Sequence, residues 1–386
     1  MDNDQIFFHL GEGTAFDNIP ASPAIYQTSN FTFNTLKDMS ESLQHEDKIP
    51  FYTRGANPTT AILQQKLAAL EGTEEALVFG SGSAAITAAV FSQIKSGDHV
   101  VCVENPYSWT KKLLDKTLSR FGVSTTYVNA SDSQGIIDSC QPNTTLIYLE
   151  SPNSWTYEMQ DIEQITAYAK SKGIITIMDN SCASPLYQQP AKYGIDIIVH
   201  SATKYLSGHA DMVAGVLCTS KTIFDQIFQG EYMTFGGILS PFESWLMIRS
   251  LRTLDMRMER VTKNALIVAD FLEDHPKVEK VIFSHSKNYP QPELRDKYLK
   301  AAGGLMTIDL ATKDFQATEK FCNTLKRFKL GCSWGGFESL AFPAVTTMSS
   351  LNYDKPNTLV NRIRLYIGME SSESLIEDLT NALNTI

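Results

Sequence analysis

The chain has 386 residues, of which 43% are hydrophobic and 20% charged, and its formal net charge is −10 at pH 7. This length is sufficient for two or three domains with a sizeable buried core. The acidic balance argues against nucleic acid or an anionic membrane as a general partner, because both would repel the chain.

The cysteine and histidine patterns argue against several kinds of site. The six cysteines show no C-x-x-C spacing, and Cys102 and Cys218 lie in apolar runs, where cysteine is usually a small buried hydrophobe. This usage and the acidic start, Met1-Asp2-Asn3-Asp4, favour the cytoplasm over a secreted disulfide framework. No histidine forms an H-x-x-x-H pair beside an acid, and the apolar runs are far shorter than a membrane span. We therefore expect neither a metal site nor a membrane partner.

The first fifty residues lack a regular apolar period. They contain Pro20, Pro23 and Pro50 together with several asparagines and serines, which favour turns and loops. We expect an arm that packs on another surface rather than a separate domain.

Short apolar runs alternate with helical periodicity between about residues 73 and 220. Continuous apolar runs of this length indicate strands buried on both faces, and hence a largely parallel sheet covered by helices. Helices are predicted over 59–70 and 83–95, the first with Asn57 and Pro58 at its start and Gly72 at its end. The predicted strands are 76–79, 99–103, 125–128, 145–149, 174–178, 196–199 and 215–219.

The C-terminal part has a different pattern. Residues 241–274 are strongly helical, and a stretch rich in proline and asparagine at 285–292 indicates a loop. Strands are predicted over 304–309 and 363–367, and a final helix carries Leu375, Ile376, Leu379 and Leu383 on one face. This mixture is typical of a smaller α/β domain.

Two polar side chains follow buried strands of the predicted sheet. Asp179 comes directly after the run 174–178, and Lys204 follows 196–199 within Ser201-Ala202-Thr203-Lys204. Pyridoxal 5'-phosphate chemistry requires such a pair, because the lysine amine binds the cofactor aldehyde and the carboxylate pairs with the protonated ring nitrogen. By spacing alone, a surface lysine after a core strand is the favoured explanation of the pattern.

A phosphate site is predicted where the first strand of the sheet ends. The turn Gly80-Ser81-Gly82-Ser83 leads into a helix, whose first N–H groups and dipole favour an anion. Ser201 and Thr203 could add hydroxyl donors to the same phosphate. A plain tight turn is the alternative.

Three residues elsewhere suit the same ligands. Arg54 suits a phosphate, because its planar fork makes two charge-assisted hydrogen bonds. Tyr107, after the run 99–103, could stack on a flat cofactor. Arg364 lies between apolar neighbours and needs an anionic partner if buried, either a substrate α-carboxylate or a structural salt bridge.

Taken together, these segments resemble the Cys/Met-metabolism family of pyridoxal phosphate-dependent enzymes, the trans-sulfuration enzymes, over almost the whole chain. The motifs that carry the resemblance are Tyr52-Thr53-Arg54, Gly80-Ser81-Gly82, Glu150-Ser151-Pro152, Asp179-Asn180, Ser201-Ala202-Thr203-Lys204, Ser333-Trp334-Gly335-Gly336 and Ile363-Arg364-Leu365.

The resemblance implies an aspartate-aminotransferase-like α/β architecture, fold type I. A pyridoxal phosphate-binding domain on a mainly parallel seven-stranded sheet would cover residues 56–245, and a smaller α/β domain would cover 246–386. Residues 1–55 would form an N-terminal arm that contacts the neighbouring subunit of a homotetramer, a dimer of dimers with shared active sites.

The resemblance also implies a role for each candidate residue. Tyr52 and Arg54 would reach the phosphate of the neighbouring subunit's cofactor. Within the subunit, the phosphate would be held by Gly82, Ser83, Ser201 and Thr203. The catalytic residues would be Lys204, Asp179 beside the ring nitrogen, and Tyr107 stacked on the ring. An amino-acid substrate would be bound by Ser333, Trp334 and Arg364, with Ser333 and Arg364 on its carboxylate.

Within the family, several features resemble bacterial cystathionine β-lyases. These are the box Glu150-Ser151-Pro152-Asn153-Ser154, the tryptophan at Trp334, and Cys332, where γ-synthases and γ-lyases acting on cystathionine usually have glutamate. One departure is Gly55, where the β-lyase pattern has a second arginine. We expect β-elimination of cystathionine to homocysteine, pyruvate and ammonia, a step of methionine biosynthesis.

Two alternatives remain open at this point. One is γ-elimination or replacement of the methionine γ-lyase or cystathionine γ-lyase and γ-synthase type, which the missing second arginine favours. The other, more remote, is a non-catalytic cofactor-binding protein that retains the fold.

Overall fold

The structure is a computed structural model that describes residues 1–13, 20–347 and 359–386. Parts of the expected arm, 14–19, and of the expected C-terminal domain, 348–358, lie outside the described residues. The strands are β1 (Glu75–Phe79), β2 (His99–Val103), β3 (Ser124–Val128), β4 (Thr144–Glu150), β5 (Ile175–Asp179), β6 (Ile197–Ser201), β7 (Gly215–Thr219), β8 (Val278–Ile282), β9 (Leu305–Leu310), β10 (Lys329–Leu330), β11 (Leu340–Pro343) and β12 (Arg362–Tyr366).

Helices connect and cover these strands. The α-helices are α1 (Asn3–Phe8), α2 (Leu36–Gln44), α3 (Pro58–Glu71), α4 (Gly82–Phe91), α5 (Ser108–Lys112), α6 (Ser133–Asp138), α7 (Ile162–Lys172), α8 (Ser184–Tyr187), α9 (Lys221–Ile227), α10 (Met233–Phe235), α11 (Pro241–Leu251), α12 (Leu254–Glu273), α13 (Pro292–Tyr298), α14 (Phe315–Thr324) and α15 (Ser372–Leu383). Short turns of 3-10 or π type cover Leu113–Thr117, Leu118–Phe121, Pro190–Tyr193, Phe228–Tyr232 and Ala344–Thr347.

All seven predicted strands belong to one sheet. In the described part of the chain its order is β1-β7-β6-β5-β4-β2-β3. β7 runs antiparallel to both of its neighbours, and the other pairs are parallel. The mainly parallel sheet is thus confirmed. Its carboxyl edge brings together residues that follow β4, β5 and β6, which is where ligands of open α/β sheets gather.

Strand β6 begins at Ile197, although the sequence pattern places its start at residue 196. The reason is the Asp196 carboxylate, which accepts hydrogen bonds from the Thr176 N–H (2.8 Å) and hydroxyl (2.7 Å) on β5. This side chain therefore fixes the entry to the strand. β6 then continues to Ser201, which shortens the connection to Lys204.

The boundaries of helices α3 and α4 are determined by capping residues and by a local side-chain hydrogen bond. The Asn57 side chain accepts from the Thr59 N–H at 3.0 Å, Pro58 occupies the first turn, and Gly72 ends α3 with φ +75°. α4 ends at Phe91, four residues before the predicted end, because the Ser92 hydroxyl turns back to donate to the Ala89 carbonyl (2.9 Å).

The N-terminal segment is more regular than the sequence pattern indicates. It contains α1 and α2, which begin at the N-cap residues Asp2 and Thr35. α1 buries Ile6 and Phe7 against its own subunit, and the buried Lys66 on α3 donates to the Ile6 carbonyl at 2.7 Å. Pro20 and Pro23 lie between these helices and Pro50 follows the second, and short helices have little apolar period to detect.

The C-terminal part forms a second sheet in the described residues, ordered β10-β11-β12-β9-β8. Only β10 and β11 pair in parallel. The helical stretch that begins at residue 241 is divided into α11 and α12. The first half of α12 contributes Leu254 and Met258 to the large core, whereas its second half contributes Val268 and Leu272 to a separate core beneath the second sheet.

The described residues contain neither a membrane-crossing helix nor a group of metal-binding side chains. No helix there combines the length and the apolar character that a membrane crossing requires. Nor do His, Cys, Asp and Glu side chains gather there in groups of three or more that could hold a metal ion.

Candidate active site

Lys204 and Ser333 meet although they are far apart in the sequence. The Lys204 Nζ donates a hydrogen bond of 2.8 Å to the Ser333 Oγ. The same Nζ lies 5.6 Å from the centroid of the Trp334 ring. The structure therefore brings the predicted cofactor lysine together with two of the three predicted substrate-binding residues.

The loop that carries Ser333 packs directly on the lysine backbone. Gly335 has φ +86°, and a Cβ atom there would lie 2.9 Å from the Lys204 Cα and 2.7 Å from the Tyr205 nitrogen. Only glycine accepts this conformation and this approach without strain. The Trp334 ring, 6% exposed, contacts the Tyr205 ring edge-on with centroids 5.3 Å apart.

The environment of Lys204 favours a neutral amine. Burial and, next, the positive charge of Arg364 lower the pKa of Lys204 to about 8, against the opposing effects of Cys332 and Asp179. A lysine with a pKa near neutrality can accept a proton under physiological conditions, which an ordinary lysine does poorly.

Asp179 ends β5 on the edge of the sheet beside Lys204. Its carboxylate is buried and accepts hydrogen bonds from the N–H (2.9 Å) and the hydroxyl (2.6 Å) of Ser181. Burial raises the pKa of Asp179, while Ser181, His200 and Lys204 act in the opposite direction. Among the described residues Asp179 makes no salt bridge, so a cation supplied by a ligand would compensate its burial.

His200 belongs to a polar cluster that the sequence pattern did not reveal. Its ring pairs with the buried Glu71 carboxylate, which also accepts from the Asn180 side chain at 2.9 Å. Asn180 follows Asp179, so this cluster lies on the opposite face of the strand end. Single polar residues at strand and helix ends give no periodic signal by which to find such a group.

Glu150 supports the loop that carries Tyr107. It ends β4 and is aligned with Asp179 on the neighbouring strand. Its carboxylate accepts from the Tyr107 N–H (2.7 Å) and from the Ser154 N–H (3.0 Å). Burial, together with the negative charge of Asp179, raises the pKa of Glu150 to about 7. The Tyr107 side chain is 42% exposed at the edge of the sheet.

The predicted phosphate turn lies against the end of β6. A Cβ on Gly82 would lie 2.9 Å from both the Cα and the Cβ of Ser201, so glycine permits the close approach. Ser83 follows in the first turn of α4, which leaves its N–H near the positive end of that helix. The structure thus places Gly82, Ser83 and Ser201 at one helix N-terminus.

The hydroxyl of Thr203 is engaged with the backbone of Ala214. It donates to the Ala214 carbonyl at 3.2 Å and accepts from the Ala214 N–H at 3.0 Å. To donate to a phosphate instead, its hydrogen would have to rotate away from that carbonyl.

Tyr52 and Arg54 stand apart from this cluster. Both are exposed, and the Arg54 guanidinium lies 5.6 Å from the centroid of the Tyr52 ring. In the part of the chain that the structure describes, no hydrogen bond, ion pair or ring contact joins either side chain to Lys204.

Arg364 lies on β12 and is 7% exposed. Its guanidinium donates to the Cys332 carbonyl at 2.8 Å, next to Ser333. The guanidinium carbon also lies 4.7 Å from the Trp155 ring centroid and 5.3 Å from that of Phe342. Neither aromatic residue was identified from the sequence, because each belongs to a different part of the chain and has no local motif.

These residues fit a pyridoxal phosphate group. Gly82 leaves room for close backbone approach at a helix N-terminus, which suits a phosphate. The buried Asp179 requires a cation, which a protonated pyridine would supply. The buried Lys204 has an amine of lowered pKa, which suits a covalent bond to an aldehyde.

Comparison with known proteins identifies the family of the chain. The family described as "Cys/Met metabolism PLP-dependent enzyme" matches residues 6–384. The L-methionine gamma-lyase of Fusobacterium nucleatum subsp. nucleatum is 38% identical over 370 residues, which cover 94% of this chain and 93% of that protein. The cystathionine beta-lyase of Lactococcus lactis subsp. cremoris is 35% identical over 379 residues, 97% of each chain.

A solved structure extends the likeness to the fold. The crystal structure of metB from Corynebacterium glutamicum matches with a TM-score of 0.91 and 32% identity, and covers 100% of this chain and 98% of that one. This confirms the expected aspartate-aminotransferase-like fold of type I. The chain belongs to the Cys/Met metabolism family and is a pyridoxal phosphate-dependent lyase of the trans-sulfuration group.

Proposed function

We propose that this enzyme catalyses the β-elimination of cystathionine to homocysteine, pyruvate and ammonia. The observation that carries the proposal is the hydrogen bond between Lys204 and Ser333, next to the Trp334 ring. The residue before Ser333 is Cys332, which has no acidic side chain. The site therefore has a base and a carboxylate-binding group but no acid at Cys332 to attract a distal ammonium group.

The cofactor would be held by residues from four segments of one subunit and one segment of its neighbour. Lys204 would bind its aldehyde, Asp179 would pair with its ring nitrogen, and Tyr107 would cover its ring. Its phosphate would be held by Gly82, Ser83, Ser201 and Thr203, with Tyr52 and Arg54 from a neighbouring subunit. When bound, the cofactor supplies an electron sink for the negative charge that develops at the substrate Cα.

Side chains of the protein would bind the substrate and remove its proton. Arg364 and Ser333 would hold the α-carboxylate, because a guanidinium donor and a hydroxyl beside Lys204 are positioned for an anion. Lys204, whose pKa is lowered to about 8, would remove the α-proton. Such a positioned base typically contributes about 10²- to 10⁴-fold to the rate. The thiolate then leaves from Cβ, and water completes the release of pyruvate and ammonia.

Methionine γ-elimination is the second candidate, and two observations favour it. The chain is 38% identical to an L-methionine gamma-lyase. It also carries Gly55 after Arg54, where a second arginine would meet a distal carboxylate. A Cβ at Gly55 would lie 2.9 Å from the Glu46 carbonyl oxygen, so an arginine does not fit there without a backbone shift. In this reaction Lys204 would also move a proton at Cβ, with help from Tyr107.

We also propose a homotetramer built from dimers with shared active sites. Support comes from the exposed side chains of Tyr52 and Arg54, and from an exposed apolar surface on the expected arm that includes Tyr26, Leu36 and Leu43. The arm would cover 1–55, the cofactor-binding domain 56–245 and the C-terminal domain 246–386. All six cysteines are free, which supports a cytoplasmic location.

A product assay tests the substrate. Purified holoenzyme is given cystathionine or methionine at equal concentration, and pyruvate and 2-oxobutyrate are separated and quantified. Pyruvate from cystathionine as the faster reaction supports the β-lyase proposal. Faster release of 2-oxobutyrate from methionine replaces it with the second candidate. Lys204→Ala serves as the control and should be inactive with both substrates.

A further inference from the structure

Arg364 lies in a corner formed by two aromatic rings. The ring centroids of Trp155 and Phe342 are 5.5 Å apart, with the planes inclined by 49°. The guanidinium carbon is 4.7 Å from the first centroid and 5.3 Å from the second. The three groups thus form a triangle with nearly equal sides, in which each touches the other two.

The three groups of the triangle come from two parts of the fold. Phe342 on β11 is aligned with Arg364 on β12 in the second sheet. Trp155 comes from the loop that follows β4 of the large sheet. Its backbone N–H donates to the Asn153 Oδ1 at 2.9 Å, and the buried Asn153 side chain donates in turn to the Asn105 carbonyl at 2.9 Å.

The contacts with the two aromatic rings affect the orientation of the Arg364 guanidinium. Aromatic rings attract a cation to their faces, and a planar guanidinium lies against them well. The N–H donors of a guanidinium point outward in its own plane, away from a ring that lies against its face. One N–H of Arg364 donates to the Cys332 carbonyl. Contact with both rings therefore restricts the rotation of the guanidinium group and the directions in which its N–H donors point.

We propose that Trp155 is a positioning residue that orients Arg364 for the α-carboxylate of the substrate, and so selects amino acids over amines. This rests on the proposed role of Arg364 in binding that carboxylate. Because Trp155 acts through Arg364 and not through Lys204, its removal should weaken substrate binding while the cofactor remains bound.

The test compares two ligands that lack a leaving group. Norleucine carries an α-carboxylate and pentylamine does not, and both are titrated into the holoenzyme while its visible absorbance is followed. The preference is the ratio of the two dissociation constants. For Trp155→Ile we expect this preference to fall roughly tenfold, a change that corresponds to about 1.4 kcal/mol. Trp155→Phe, which keeps a ring, should retain most of it.

Further variants distinguish the proposed role of Arg364 in carboxylate binding from the proposed role of Trp155 in orienting Arg364. Arg364→Leu should abolish the preference, and if it does not, the proposed role of Arg364 is wrong. If Arg364→Leu abolishes the preference but Trp155→Ile leaves it unchanged, only the inference about Trp155 is overturned. Should Trp155→Ile fail to fold, Phe342→Leu removes the other ring and is expected to lower the preference in the same direction. An unchanged preference in Phe342→Leu would also overturn the inference.

Turnover provides an independent readout. Trp155→Ile should raise KM for the preferred sulfur amino acid by roughly the same tenfold factor and leave kcat within about twofold. A fall in kcat with unchanged KM would contradict a role in carboxylate binding.

Discussion

Glu150 and Asp179 lie side by side at the ends of neighbouring parallel strands, aligned in register, and both carboxyl groups are buried. The negative charge of Asp179 adds to burial in raising the pKa of Glu150, because two like charges share one region of low dielectric. We expect Asp179 to lie beside the cofactor ring nitrogen, while Glu150 holds the Tyr107 loop by accepting a hydrogen bond from the Tyr107 N–H. Protonation of this pair should therefore be visible in the stability of the cofactor-free protein.

The first prediction concerns that stability. Burial raises the pKa of Glu150 to about 7 in the folded protein, whereas an unfolded glutamate has a pKa of about 4.3. The folded state thus binds the proton more tightly, so the stabilising contribution is complete below about pH 4.3 and is lost as pH rises through about 7. The raised pKa of Asp179 acts in the same direction.

Glu150→Gln should remove much of this pH dependence. Denaturant unfolding of the cofactor-free protein between pH 5 and 8 should show a loss of about 1–3 kcal/mol in the wild type and a flatter profile in the variant. Glu319→Gln, at an exposed position on α14, is the control and should keep the wild-type slope. Equal slopes in wild type and Glu150→Gln would contradict the assignment.

The second prediction concerns how fast the cofactor-free protein takes up pyridoxal phosphate. The neutral amine of Lys204 is the reactive form, so the rate at which the visible band appears should rise with pH through about 8 and then level off. Arg364→Leu removes a nearby positive charge that lowers this pKa, and should shift the profile to higher pH. Arg362→Leu, two residues away and paired with Asp309, is the control. An unshifted profile in Arg364→Leu would show that the two cations do not interact.

The third prediction concerns Gly335, in the loop that packs on the backbone of Lys204. Gly335→Ala should combine an unfavourable positive φ with backbone clashes at Lys204 and Tyr205. We expect a loss of at least about 1–3 kcal/mol in unfolding free energy, together with a large fall in activity as Ser333 is displaced. Gly173→Ala has a positive φ but open space around its Cβ, so it should show only the conformational cost. If both variants keep full activity, the loop does not position Ser333.

The fourth prediction tests the shared active site. Arg54→Ala and Lys204→Ala should each be nearly inactive alone. In a mixed dimer one site would combine an intact Lys204 with an intact Arg54, so statistical mixing should restore about a quarter of the wild-type activity. A mixture of Asp179→Asn and Lys204→Ala should not recover, because both residues belong to the same subunit's site. Absence of recovery in verified Arg54→Ala and Lys204→Ala hybrids would argue against sharing.

The large sheet could be predicted from its sequence because buried strands are continuous apolar runs. The runs 99–103 and 215–219 coincide with β2 and β7 to the residue. The direction of β7 was not predictable, since an apolar run reads the same in both directions. Strand and helix ends were shifted where a single side chain bonded to the backbone, as Asp196 does before β6 and Ser92 does after α4.

The site could be predicted only in part. Lys204 and Asp179 follow strands of one sheet, so their proximity follows from topology. The approach of Ser333 to Lys204 depended on the family resemblance, because nothing local relates positions so far apart. Trp155 was missed for the same reason: its partner Arg364 belongs to the other sheet, and a single tryptophan in a loop gives no period.

Helix α12 contributes to both hydrophobic cores, so we expect the large domain and the C-terminal part to unfold together. Its first turns supply Leu254 and Met258 to one core and its last turns supply Val268 and Leu272 to the other. Melting of the second core would leave half of a 20-residue helix without tertiary support, and a helix of that kind is marginal in water. The fraying would then expose apolar side chains of the first core. The large domain and the C-terminal part should consequently share one calorimetric transition, in which neither survives as a folded intermediate.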